Sequence, residues 1–290
     1  MRFSRDFARA SDGTLIYYEV WGESPSCVCL VNSIGASASF WKYLLPFLRQ
    51  HYTVVFWDLR GHGESDFPHS LERLDVSLLA EDMERVLDAA GVESAALVGH
   101  STGFQIALEF CGRNPERVKG LVDISGPFEH PLTNLLRTHH AGAVASVVAK
   151  LGKVFHGVAE RATELLLLNP LFFEFVKYAL LNPQFAKRED FEPFLVHLAG
   201  MDYELLARLV EVFEEHSGRV ILDGLEIPVL VVAGEADAFT PAEHYEEICR
   251  LASDCEIFWL RRGSHAVLLE QPEAVNLRVE KFLQEKVEFN

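Results

Sequence analysis

A chain of 290 residues with 49% hydrophobic and 24% charged residues can bury a sizeable core in one large domain, or in a domain carrying an insertion, without help from metals or disulfides. Its formal net charge of −17 and pI near 5.1 repel phosphate backbones and anionic lipid, which argues against nucleic acid or a membrane surface as a partner. The five cysteines are odd in number, and Cys27 and Cys29 stand two apart in an apolar run; they read as packing residues in a reducing compartment.

The N-terminal stretch MRFSRDFARASDG alternates apolar and charged residues and lacks the apolar segment and cleavage site of a secretory signal, so a cytoplasmic location is expected. Strand-like patterns occupy Phe3 to Ala8 and Thr14 to Val20, joined by the turn residues Ser11-Asp12-Gly13, and predict a hairpin. Short apolar runs follow at 27–32, 53–58, 95–100, 118–125, 228–235 and 256–260. Runs that are apolar on both faces belong to a buried parallel sheet. Amphipathic segments from Leu71 to Ala90, Pro241 to Ala252 and Pro272 to Lys286 alternate with them, which predicts an α/β architecture with helices on both faces of a mostly parallel, twisted sheet.

That alternation stops between residues 127 and 224, where no strand pattern occurs and Phe172, Phe173, Phe175, Phe185, Phe191 and Phe194 punctuate helical periodicity. A segment of that length is too long for a loop. It predicts a helical cap over residues 127–224, inserted into a core made of 1–126 and 225–290. The apolar stretch at 165–181 is interrupted by Asn169-Pro170, Glu174 and Lys177, so it reads as a soluble helix and not as an integral membrane segment. The phenylalanines are most simply core, with some available to line a pocket.

Within LVGHSTGFQIAL, Ser101 sits between a strand and a helix with glycines at 99 and 103. Such a serine is either a plain turn residue or a nucleophile on a sharp strand-to-helix turn, where the flanking glycines remove clashes and the hydroxyl is exposed. In the second case the backbone N–H of Thr102, at the positive end of the helix, faces an oxyanion bound above the serine. A serine nucleophile needs a base and the base needs an orienting carboxylate. His265 follows the last strand in RRGSHAV, and Asp237 follows the preceding strand in AGEADAFTP, giving the order Ser, Asp, His at strand carboxyl ends, where α/β sheets bind ligands. Glu235 and Asp123 are rival acids.

The segments Gly99-His100-Ser101-Thr102-Gly103, Asp58-Leu59-Arg60-Gly61-His62-Gly63-Glu64-Ser65, Gly234-Glu235-Ala236-Asp237 and Gly263-Ser264-His265 resemble those of the α/β-hydrolase superfamily, in the group of simple esterases, enol-lactonases and carbon–carbon bond hydrolases. The resemblance implies the α/β-hydrolase fold and a loop-shaping role for residues 58–65. It places a second oxyanion N–H on Ile34, with Trp41 packing at the start of the next helix. This chain departs from the family at Asn32-Ser33, where His-Gly is common, and at Phe104, where a glycine is common. The bulky ring implies either altered helix-to-strand contact or an aromatic wall near the pocket.

The expected function is hydrolysis of a carboxylic ester through an acyl-enzyme, on a small-molecule substrate with an apolar part, with activity falling as the His265 imidazole becomes charged in acid. The same triad serves lactone or carbon–carbon bond hydrolysis, and a hydrolase-fold binding protein without turnover is a third reading. No cofactor is implied, since nucleotide-binding glycine motifs are missing from the sequence. No metal is implied either: zinc signatures are missing, and His139-His140, being adjacent, diverge on a helix.

Overall fold

The structure is a computed structural model that describes residues 3–131 and 169–289. Its centre is an eight-stranded sheet of order β1-β2-β4-β3-β5-β6-β7-β8. Strands β1 (Phe3–Arg9) and β2 (Leu15–Trp21) form the expected hairpin, and β2 also runs antiparallel to β4 (Thr53–Trp57). All remaining pairs are parallel: β4 with β3 (Cys27–Val31), β3 with β5 (Ala95–His100), then β6 (Val118–Ile124), β7 (Val229–Gly234) and β8 (Cys255–Leu260).

The continuous apolar runs have a direct cause. Every residue of β3, β5 and β7 is buried, and the two-residue alternation divides each strand between two cores. Cys27, Cys29 and Val31 join one layer, and Val28 and Leu30 join the other. The first layer is covered by α2 (Val76–Ala89) and α3 (Gly103–Arg113), which supply Leu79, Met83, Phe104 and Ile106. The opposite layer is covered by α1 (Leu44–Leu48) and, near the C-terminus, by a long helix over Pro272–Lys286, which contributes Val279 and Phe282. Phe104 is thus core and not pocket wall.

Helix α2 starts later than its apolar periodicity suggests. The Asp75 carboxylate accepts from Leu78 N–H and caps the helix. Upstream, the Leu71 and Leu74 carbonyls accept from Arg208 at 3.2 and 3.0 Å, so a distant side chain satisfies backbone that would otherwise need the helix.

Between β6 and β7 lie α4 (Pro170–Leu180), α5 (Arg188–Ala199), α6 (Tyr203–Glu215) and α7 (Arg219–Asp223). Asn169 and Asp202 cap α4 and α6, and Leu205, Leu209, Val212 and Phe213 form the buried stripe of α6. Phe173 and Phe191 are buried with ring centroids 6.1 Å apart, and Phe194 packs on Phe40 at 5.2 Å, whereas Phe185 is exposed. The side chains of Phe172 and Phe175, and His139-His140, lie outside the described residues. Helix α8 (Ala242–Leu251) follows β7, and the single turn α9 (Val267–Glu270) precedes the long C-terminal helix, α10.

Cys27 and Cys29 are buried and unbridged, as their setting suggests. Cys249 and Cys255, with Cα atoms 5.0 Å apart, form a disulfide joining the end of α8 to the start of β8, a pairing that the sequence reading does not anticipate. Among the described residues no helix is long and apolar enough to cross a membrane.

Strand order makes the site. The chain leaves β3 for β4 on one side and returns to place β5 on the other, so the carboxyl ends of β3 and β5 flank a topological switch point, with Val31 opposite Gly99. The N-terminus of α3 approaches β3 so closely that a Cβ on Gly103 would lie 2.2 Å from the Val31 carbonyl oxygen. Gly103→Ala is therefore expected to destabilise the fold by about 1–3 kcal/mol, read as a lower urea midpoint; an unchanged midpoint would mean that α3 retreats freely from β3.

Candidate active site

Ser101 occupies the left-handed region at φ 52°, a conformation that costs a non-glycine residue of order 1–3 kcal/mol and is retained only where its surroundings impose it. Here they do. Its N–H donates to Ile124 O at 3.0 Å, tying the turn to β6, and its own carbonyl accepts from Phe104 N–H at 3.0 Å, starting α3. A Cβ on Gly99 would come within 2.8 Å of the Phe104 backbone; the two glycines that frame Ser101 are thus demanded by helix-to-strand contact.

The Ser101 hydroxyl lies 2.7 Å from His265 Nε2, and His265 Nδ1 lies 2.9 and 3.1 Å from the two oxygens of Asp237. A carboxylate accepts, so Nδ1 carries the proton and Nε2 is the acceptor facing the serine. Three donors hold Asp237: Phe239 N–H at 2.8 Å, Thr240 N–H at 3.0 Å and the Tyr245 hydroxyl at 2.7 Å. Burial opposes ionisation of Asp237, but its electrostatic interaction with His265 and the hydrogen bonds from His265, Thr240 and Tyr245 outweigh it and hold the carboxyl below its usual value. Phe239 covers the His265 ring at a centroid distance of 4.6 Å.

The rival acids stand elsewhere. Glu235 is exposed and accepts from Arg262 N–H at 3.1 Å. Asp123 is fully buried on β6 opposite Gly99, where it accepts from Gly126 N–H at 2.7 Å; burial pushes its carboxyl well above the usual range.

The loop after β3 explains the departure at Asn32-Ser33. Buried Asn32 accepts from the Trp41 indole N–H and donates to Trp57 O at 3.0 Å, anchoring the loop through its side chain. The turn is made two residues later: Ala36 N–H donates to Ser33 O at 3.1 Å and Gly35 has φ +73°, the pattern of a type II turn with Ile34 and Gly35 at its centre. Ile34 N–H donates to the Thr102 hydroxyl at 3.1 Å. The Ile34 amide thus lies against the side chain of Thr102, the residue that follows Ser101.

Several residues that the sequence reading passed over support this arrangement. Burial pushes His100 down to about 3, and its neutral ring can only donate through Nε2 to the His265 carbonyl at 3.3 Å, leaving Nδ1 to accept from Ser33 Oγ at 3.4 Å. Glu270 accepts from Ser264 N–H, Ser264 Oγ and Asn182 N–H at 3.0, 2.8 and 2.7 Å, fixing the residue before His265. Only the position of His100 inside the nucleophile motif offered a sequence signal. Residues 58–65 prove structural: Arg60 is fully buried between Asp82 and Asp12, and His62 accepts from Gly35 N–H at 2.9 Å. Among the described residues no group of three or more His, Cys, Asp or Glu side chains is placed to hold a metal.

Comparison with known proteins agrees with the fold. The family profile described as alpha/beta hydrolase fold matches residues 27–270. The chain therefore belongs to the alpha/beta hydrolase fold family, and the class its fold and relatives define is that of a hydrolase. It is similar to RutD of Azorhizobium caulinodans, whose name marks it provisionally as a carbamate hydrolase, at 27% identity over 93% of this chain and 95% of that one. It is 28% identical, over 93% of its length, to the dihydrolipoyllysine-residue acetyltransferase component of an acetoin cleaving system from Pseudomonas putida, and spans 66% of that protein. A solved structure of a hydrolase from Pseudomonas aeruginosa PA01 superposes with a TM-score of 0.77 at 26% identity, covering 97% of this chain and 98% of that one.

Burial lowers the His62 imidazole from 6.5 to about 3. Between these values the unfolded chain binds a proton that the folded chain refuses, so the stability that neutral His62 contributes is present above the unfolded value and lost as pH falls. Between pH 7 and pH 5 wild type should lose about 2 kcal/mol more than His62→Gln on this account, measured by urea denaturation at both pH values. Equal losses would show that His62 protonates in the folded state.

Proposed function

We propose that the protein hydrolyses a carboxylic ester of a small molecule through an acyl-enzyme on Ser101. The observation that carries this reading is the unbroken hydrogen-bonded line Ser101–His265–Asp237, with the serine backbone held at positive φ. Ser101 Oγ attacks the ester carbonyl as its proton passes to His265 Nε2, and Asp237 stabilises the imidazolium. The carbonyl oxygen becomes an oxyanion and accepts from Thr102 N–H and Ile34 N–H; at Ile34 it takes the place of the Thr102 hydroxyl. Collapse expels the alkoxide, which takes the proton from His265. Water, deprotonated by the same nitrogen, then attacks the acyl-enzyme, and collapse frees the acid as the expelled Ser101 Oγ takes the proton back from His265.

In this reading the helices between β6 and β7 serve as the cap. Phe194 of α5 and Phe40 after the Ile34 loop pack edge to face, and Phe239 covers His265, which supports a substrate with an apolar acyl or aryl part. Lactones and carbamates present the same electrophilic carbonyl to the same serine, so a panel of esters, lactones and carbamates of graded size separates the substrate classes.

Ser101→Ala should lower ester turnover at least about 10³-fold without loss of folding. A folded variant with full activity would sink the proposal. Asp237→Asn should lower kcat by about 10⁴-fold through the wrong imidazole tautomer, while Asp123→Asn, at a side chain that bonds Gly126 N–H and not His265, leaves kcat near wild type; the reverse ranking would move the acid to β6.

A further inference from the structure

We propose that His197, on helix α5, is a positioning residue for the Ile34 oxyanion donor, so that seating the cap helix and assembling the oxyanion site are one event. The inference rests on the reading of Ser101 as nucleophile and Ile34 as donor.

Each bond around His197 has its direction dictated by backbone chemistry. Gly63 N–H, a donor only, lies 3.0 Å from His197 Nε2, so Nε2 accepts. Its neutral ring therefore carries the proton on Nδ1, which donates to Gly35 O at 2.8 Å. Gly35 N–H in turn donates to His62 Nε2 at 2.9 Å, and His62 Nδ1–H donates to Arg60 O at 3.2 Å. Two imidazoles, tilted by 33° with centroids 5.8 Å apart, thus clamp both sides of Gly35 against the loop of residues 60–63. His62 comes from the core and holds the peptide that joins Ile34 to Gly35. His197 comes from the inserted helices and holds the next one.

The clamp acts where the mechanism is sensitive. Ile34 and Gly35 are the two central residues of the turn, and Gly35 sits at φ +73°, so pinning both flanks of Gly35 leaves the Ile34 amide little freedom to swing. Elsewhere α5 is seated on the same short segment. Asp190 accepts from Lys42 and from the Tyr43 hydroxyl at 2.8 Å. A Cβ on Gly35 would lie 2.8 Å from Leu198 Cδ1 and 3.4 Å from Phe194 Cε2. Donors that stabilise an oxyanion contribute through preorganisation, so a loop free to rotate loses transition-state stabilisation with little effect on ground-state binding.

The test compares His197→Ala, His197→Asn and His197→Gln with wild type in kcat, KM and thermal midpoint on one good ester substrate. An asparagine amide nitrogen falls near the Nδ1 position and can donate to Gly35 O; glutamine reaches instead toward the Nε2 position. His197→Ala should lower kcat by about 10- to 100-fold with KM nearly constant, and His197→Asn should recover most of that loss while His197→Gln does not. If the alanine variant does not fold, the asparagine-to-glutamine comparison alone decides. Wild-type kcat in His197→Ala, a loss carried by KM, or glutamine equal to asparagine would overturn the role of His197. Ser101→Ala, run alongside, separates the two claims. If it stays active, the nucleophile reading fails; if it is inactive while His197→Ala turns over normally, only the positioning role fails.

Discussion

The site depends on how closely the N-terminus of α3 presses against β3 and β5. That contact forces Ser101 into the left-handed region and leaves room only for glycine at positions 99 and 103. It also brings Thr102 to within a hydrogen bond of the Ile34 amide on the neighbouring loop. The strain is held because the surrounding parts are rigid: β5 and β6 pair on one side, and the fully buried ring of Phe104 fills the face of the sheet beneath the helix.

From that turn a set of hydrogen-bonded polar groups extends outward into the interior. His100 joins Ser33 to the His265 backbone, Tyr245 and two amides hold Asp237, and Glu270 holds Ser264. Each of these bonds is worth only about 1 kcal/mol in net stability. Their larger effect is to leave the side chains of Asp237 and His265 a single orientation. Burial holds the His62 and His100 imidazoles low and pushes the Asp123 carboxyl up, in each case against the charged form.

Much of this was legible in the residue order. The strands were marked by apolar runs because a strand buried on both faces is built mainly from apolar side chains, and Ser101, Asp237 and His265 were marked by their places at strand ends. Asp237 could not be separated from Asp123 by pattern alone, since both follow or end an apolar run; only the distances to His265 Nδ1 do so. Asn32-Ser33 stood out in the sequence as a departure from the family's common His-Gly in the loop after β3. It is a substitution of means, in which an amide side chain anchored on Trp41 and Trp57 does the holding and Gly35 makes the turn.

The sequence by itself determined the sheet, the helices that cover it and the three residues in line, because periodicity and turn chemistry are local properties that each segment carries with it. Tertiary structure decided everything that requires two distant segments to meet: the start of α2 under Arg208, the Cys249–Cys255 pairing, and the clamp of His62 and His197 on Gly35. No pattern announces such contacts. A histidine in the middle of a helix looks the same in sequence whether it faces water or a backbone carbonyl more than a hundred residues away, and only the packing of the inserted helices on the loop after β3 tells the two apart.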